Sequence, residues 1–393
     1  MKRTVLLVFV LLFLFAAEIA KVYFIMPFPG SQHADTVQLA YFLHNYIWWF
    51  RIAGWIALLL LAVYAFAHAM GWKKIVLSVF LLLYGAVFYF FNFKFLADKM
   101  FYQPRQKIMA TVAENKVDDA KLVIGVSING QAKAYPVEII GYHHQVQDTI
   151  GGEAVMVTYC TVCRTGRVFS PVVDGKHESF RLVGMDHFNA MFEDATTKSW
   201  WRQATGEAVT GPLKGKKLNV IPSGQVRLGA WIREHPNTLV MQPDPSFTSK
   251  YKDLEGFDAG TINSGLEKRD AGSWKFKSWV IGVEVNGHAK AYDWNQLMHQ
   301  RMISDEVGGE PILLLLENDN ASYHAYDRKA GGQTLQFSFD VTTQLMKDNN
   351  GSLWNADGDC LDGAMKGNKL NTVPASQEFW HSWKTFHPGT ITQ

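Results

Sequence analysis

Three long apolar runs open the chain, from about Thr4 to Met26, from about Ile52 to Met70 and from about Ile75 to Phe95. Each is close to the roughly 20 residues that a helix needs to cross a bilayer. Trp48, Trp49, Trp55, Trp72, Tyr84 and Tyr89 add aromatic side chains, several of them near the expected interfaces. Three such runs in succession predict an α-helical membrane region of about three helices over residues 1–101, rather than helices of a buried core. Lys2 and Arg3 precede the first run, and small residues at Ala16, Ala17 and Ala20 give it some signal-peptide character. It continues through "KVYFIMPFPG" without a clean small-x-small site, which favours an uncleaved anchor.

From Tyr102 onward the pattern changes. A short linker, about 102–117, leads into alternating apolar and polar residues around Asn129-Gly130, and the same alternation returns around Asn286-Gly287. Both fit β-hairpins closed by a two-residue turn. A further hairpin is predicted about Asp174-Gly175, and a short helix near Leu228 to His235.

The recurrence extends well beyond the turns. "VIGVSINGQAKAY" (Val123 to Tyr135) returns as "VIGVEVNGHAKAY" (Val280 to Tyr292), with ten of thirteen positions identical. "IGGE" at Ile150 returns as "VGGE" at Val307, also 157 residues on, while "GKKLNVIP" at Gly215 and "WIREHPNT" at Trp231 return 152 residues on as "GNKLNTVP" and "WKTFHPGT". Self-similarity at a near-constant offset predicts a duplicated unit of about 120 residues. The fold expected is thus a helical membrane region followed by a β-rich α+β domain of two tandem repeats, about 118–242 and about 273–393. A Pro- and Gly-containing connector, about 243–272, joins them.

Composition and charge sharpen the picture only slightly. Mean hydropathy of -0.05 averages the apolar front and the polar remainder. A net charge of +2 without a long basic run makes nucleic acid an improbable partner. The chain has neither G-x-x-x-x-G-K-[ST] nor H-E-x-x-H, so nucleotide hydrolysis and zincin proteolysis lack their motifs. Lys2, Arg3 and the basic turn at Lys73 and Lys74 place those ends in the cytoplasm. The chain from Tyr102 is then expected on the extracytoplasmic (periplasmic) side, although Lys94, Lys99, Arg105 and Lys107 oppose that orientation. Nine tryptophans between Trp200 and Trp383 read mostly as core residues.

Chemistry concentrates in "VMVTYCTVCRTGRVF", where Cys160 and Cys163 lie three apart between strand-like flanks. A redox pair of the thioredoxin type sits at a helix N-terminus, whereas a strand, a tight turn and a strand form a metal-binding knuckle. Arg164 and Arg167 can still stabilise a thiolate by charge. At the repeat offset Cys160 aligns with Glu317 and Cys163 with Asn320, so the fold can be built without the thiols. His143, His144 and His187 offer imidazole ligands, and soft thiolates with imidazole suit copper(I) or zinc.

"VIGVSINGQAKAYP", "HHQVQDTIGGEAVMVTYCTVC" and "WWRQATGEAVTGPLKGKKL" together resemble the DUF3179 family, over about Asp118 to Gln242 and more weakly over the second copy. In that family the cysteine motif usually reads Cys-Pro-Leu-Cys-Gly-Ser and follows a Trp-His-Glu triplet. Here Cys160, Cys163, His143 and Asp148 keep the pattern, while Thr161 replaces the proline, Arg164 the glycine and His144 the glutamate. The resemblance also picks out Asp194, Trp201, Gln203, Thr205, Gly206 and Glu207, and implies fold kinship and a site without assigning a reaction.

Three functional classes follow. The leading one is a membrane-tethered metal-binding protein, acting as sensor, carrier or metalloenzyme. Its ligand set is Cys160, Cys163 and His143, with His144, Asp148, His187, Arg164, Asp194 and Gln203 around it. The alternatives are a thiol-disulfide redox protein using the same cysteines and a non-catalytic binding or assembly module. The membrane is the one partner expected, the protein or small-molecule partner being undefined. Cys360 receives no role.

Overall fold

The structure, a computed structural model, describes residues 2–68 and 70–393. They form two compact units. One comprises Met1–Tyr102 with Glu178–Arg202 and Glu207–Lys217, the other Gln103–His177, Gln203–Gly206 and Leu218–Gln393.

The first unit is led by α1 (Lys2–Tyr23), α2 (Val37–His68) and α3 (Gly71–Phe93), all long and apolar enough to cross a membrane. Ala69, inside the second run read from the sequence, lies outside the described residues. At 1.5 Å per residue α2 is about 48 Å long, against a hydrocarbon core of about 30 Å. Its first turns, with Gln38, His44 and Asn45, are the polar stretch that hydropathy left outside the span. The helices run antiparallel in succession. Arg51 of α2 donates to Glu18 of α1 at 2.7 and 2.6 Å and to Asn92 of α3 at 2.6 Å, and Lys21 reaches the same Asn92 oxygen at 2.8 Å. Trp55 donates to Tyr84 at 2.8 Å one turn deeper. These polar side chains, near the ends of α1 and α3, persist beside apolar helices because each is paired with another.

A four-stranded sheet completes this unit, with Ala208–Thr210, Trp200–Arg202, Asn189–Asp194 and Phe180–Asp186 in that order. It is tied to the helices by Gln38, which donates to the Val209 carbonyl at 2.8 Å and accepts from Thr210 at 3.0 Å. The Met185 amide donates to the Ile25 carbonyl at 2.7 Å.

The second unit is β-rich, with short helices. Leu122–Ile128 and Gln131–Pro136 pair antiparallel about Asn129 and Gly130, whose φ of 49° and 78° provide the left-handed turn that "NG" predicts. Trp279–Val285 and His288–Asp293 pair in the same register 157 residues on, with φ of 51° and 75° at Asn286 and Gly287. Each hairpin gains an antiparallel neighbour, Gly224–Arg227 or Ala375–Phe379, and a parallel one, Leu239–Met241 or Ile391–Thr392. The predicted hairpin at Asp174-Gly175 and the helix Leu228–Glu234 are both present.

The glycines of the two "VIGV" stretches have a steric reason. A Cβ on Gly125 would lie 2.3 Å from Trp231 Cε3, and one on Gly282 would lie 2.1 Å from Trp383 Cε3. Only a bare backbone lets each indole lie flat on its hairpin. The indoles are anchored by Nε1–H donation to Thr238 at 2.9 Å and to Thr390 at 2.8 Å. Trp200, Trp201, Trp294, Trp354 and Trp383 are fully buried, in keeping with the core reading. Cys360 also has a place, packed with Trp354 and Met365 in a hydrophobic cluster.

Within this unit the two similar stretches interlock. Gln225 donates to Gln377, its partner at the 152-residue offset, at 3.1 Å. The Phe379 amide donates to the Cys163 carbonyl at 2.9 Å, and the Arg227 amide to Ser322 Oγ at 3.0 Å.

Candidate functional site

The strand Glu153–Cys160 and the strand Thr165–Phe169 pair antiparallel down to Cys160 opposite Thr165, so the turn between them is Thr161 to Arg164. This is the strand, turn and strand expected of the cysteine stretch. Arg164 closes it with φ of 55° and donates its amide to the Thr161 carbonyl at 3.2 Å. The left-handed position that a small flexible residue fills most easily is thus occupied by an arginine. Its guanidinium is buried, donating to Gln377 Oε1 at 2.8 Å and to the Phe257 and Asp258 carbonyls at 3.0 and 3.2 Å. It also lies 3.8 Å from the centre of the Trp279 ring. These contacts offset the cost of roughly 1–2 kcal/mol for a non-glycine residue in that conformation.

Cys160 and Cys163 are fully buried free thiols, and the Cys163 thiol is hydrogen-bonded to Cys160. Burial pushes the Cys163 thiol well up, its contact with Cys160 adds to the rise, and Ser382 works against it. Cys163 is therefore protonated near neutral pH unless a cation displaces the proton.

Histidines flank the cysteine strand. Beyond the last paired residues, Gln145 and Thr158, the Tyr159 amide donates to the His144 carbonyl at 3.0 Å, which carries His143 and His144 alongside Tyr159 and Cys160. His143 ends the helix Val137–His143, is fully buried, and has Nε2 2.8 Å from Tyr251 Oη. His144 follows with φ of 62°, and burial lowers its pKa to about 4, leaving a neutral imidazole. The helix lies close above the turn, because a Cβ on Gly141 would come within 3.0 Å of Thr161 Cγ2.

The remaining sequence candidates divide. Gln203 is buried and donates to Thr158 Oγ1 at 3.0 Å and to the Thr165 carbonyl at 2.9 Å, bracing the base of the turn. Asp148 pairs across the strands with Val155, five residues before Cys160, or about 16 Å along a strand. There it binds Lys107, Lys133 and Tyr135 at 2.7, 3.0 and 2.7 Å, an ion-pair role at the hairpin rather than one beside the thiols. His187 belongs to the other unit, paired with Asp186 at 2.6 Å, a contact that raises its pKa. Asp194, also in that unit, organises a turn by accepting from Trp201, Ser199 and Thr197. Asp348 does the same for Trp354 and Ser352 in the second similar stretch, which marks both as turn carboxylates.

Sequence reasoning missed the residues that the second similar stretch contributes. His381 Nε2 stands 3.2 Å from the Val162 carbonyl, Ser382 Oγ 3.3 Å from Thr165 Oγ1, and Lys277 Nζ 3.4 Å from the Val162 carbonyl. Buried Glu378 accepts from Ser376 and Ser382, each at 2.9 Å, and pairs with Arg167. A signal existed: at the 152-residue offset Glu378, His381 and Ser382 replace Val226, Gly229 and Ala230. Polar residues appear in the second similar stretch, which lacks the Cys160–Cys163 pair, where it packs against the turn that carries that pair.

These features define a class, a chain with an apolar three-helix region and a β-rich α+β domain that buries a thiol pair in a tight turn between strands. The chain belongs to the family described as protein of unknown function (DUF3179), whose model matches residues 103–390. One match thus spans both stretches read as copies. Neither the comparison with curated proteins nor that with solved structures returned a match.

Proposed function

We propose that this is a membrane-anchored protein whose domain after Tyr102 lies on the extracytoplasmic side and holds a soft metal ion, copper(I) or zinc, through Cys160 and Cys163 with His143. The observation that carries the reading is the contact between the two buried thiols at the closed end of a strand pair, with buried His143 and the neutral His144 at the end of the adjoining strand. Thiols in contact can share one ion, and a His143 imidazole brought to them would complete a soft trigonal or tetrahedral set. In this reading the two similar halves are a duplication in which the first kept the thiols and the second supplies the lid formed by Glu378, His381 and Ser382. Support for the orientation comes from the bundle: Lys2, Arg3, Lys73 and Lys74 share one end, and the chain departs from the other.

Copper(I) titration of the reduced full chain in detergent, against a competing chelator, tests the site. Cys160→Ser with Cys163→Ser should abolish binding, and His143→Ala should weaken it about tenfold or more. A protein that binds neither ion, carries a Cys160–Cys163 disulfide and exchanges with glutathione would instead be a redox protein. The free adjacent thiols favour that second reading, and the raised Cys163 pKa opposes it, because exchange needs a thiolate. For the orientation, a C-terminal alkaline phosphatase fusion should be active. Activity from a cytoplasmic reporter alone would reverse it.

A further inference from the structure

Where the first copy has its thiols, the second has a different constellation. The strand Glu310–Leu316 ends one residue sooner than its counterpart, and the loop to Tyr323–Asp327 is six residues long instead of four. Glu317 begins that loop, His324 lies on the returning strand, and Asp357 comes from the turn before Cys360–Asp362. One ligand atom from each of these three lies within 4.8 Å of the others. Glu317 and Asp357 are buried, and the group opens on a cavity of about 440 Å³ also lined by Asn355, Asp359 and Lys369.

A cationic side chain already spans the carboxylates. Arg233, from the first copy, donates to Glu317 at 2.9 and 3.1 Å and to Asp357 at 2.8 and 3.2 Å, although its own side chain is 48 % exposed. His324 Nε2 stands 2.8 Å from Glu317 Oε1. Two buried carboxylates held for one positive charge, with an imidazole beside them and open space in front, match what an oxygen- and nitrogen-liking divalent ion needs. The exposed stem lets the guanidinium swing out, and His324 can carry its proton on Nδ1 to free Nε2.

We propose that Glu317, His324 and Asp357 form a second metal site, for a divalent ion such as manganese or zinc, with Arg233 as the resident cation that the ion displaces. Three protein ligands leave coordination positions facing the cavity, the arrangement of sites that bind water or substrate on the metal. The site stands independently of the thiol reading.

Manganese separates the two sites, since thiolates are poor ligands for it. The untagged full chain in detergent, stripped with chelator, is titrated with Mn²⁺ and free ion is followed by electron paramagnetic resonance. One ion should bind. His324→Ala and Asp357→Asn should each weaken binding by about tenfold or more, and Cys160→Ser with Cys163→Ser should leave it unchanged. Arg233→Gln should tighten it, because the competing cation is gone. Mn²⁺ should also raise the melting temperature of the wild type and not that of Asp357→Asn. Absence of binding in the wild type overturns the proposal, as does binding that survives His324→Ala and Asp357→Asn. Weaker binding in a folded Arg233→Gln protein would also overturn it, leaving Arg233 a structural ion pair.

Discussion

His144 combines two constraints in one residue, a left-handed backbone and a buried imidazole whose pKa burial lowers to about 4. In the unfolded chain the same ring binds a proton below about pH 6.5. Between those values the unfolded state holds more protons, so stability falls as the pH drops through the window, by on the order of 3 kcal/mol at its lower end. Asparagine tolerates the left-handed region and does not titrate. Melting curves of His144→Asn and wild type should therefore diverge in favour of the variant as pH is lowered from 6.5 to 4. A constant gap would mean that the ring is not a buried neutral group.

At the scale of elements, each hairpin of the second unit is clamped by an indole on a glycine. Gly125→Ala and Gly282→Ala drive a methyl group into Trp231 and Trp383, and each should cost about 1–3 kcal/mol, read from thermal unfolding. Unchanged melting temperatures would show that the helices Leu228–Glu234 and Trp380–Phe386 float above their sheets. Such clamps were legible in the sequence because they repeat: "NG" turns, "VIGV" strands and the paired tryptophans follow from local spacing. The cysteine turn was legible for the same reason, its flanks being strand-like on both sides. Hidden from sequence were the contacts of Glu378 with Arg167, His381 with Val162, Ser382 with Thr165 and Arg233 with Glu317, all made between the two similar stretches across more than eighty residues. Asp148 and Asp194, taken from the motif resemblance, are absorbed by nearby lysines, tyrosine and turn amides. The extension of α2 back to Val37 was missed because hydropathy registers lipid, and those turns carry Gln38, His44 and Asn45.

For the whole molecule, the bundle of α1, α2 and α3 depends on the Glu18–Arg51 pair and Asn92. Arg51→Leu leaves the Glu18 carboxylate with Asn92, which donates to it at 2.9 Å, but without its charge partner, and should destabilise the bundle by up to about 3 kcal/mol. Adding Glu18→Gln should recover much of the loss, as judged by resistance to unfolding in SDS. Equal loss in the single and double variants would mean that the charges do not work as a pair.

The same pair governs how the protein can be made. A nascent α1 enters the lipid with a carboxylate, and α2 follows with a guanidinium, so neither segment is at ease until the other has arrived. Peptidase removal of α1 after translocation would leave Arg51 facing hydrocarbon with only Asn92 to answer it. On the proposed anchor the leading helix is expected to stay as a structural member, and trimming it for expression should yield a protein that inserts poorly.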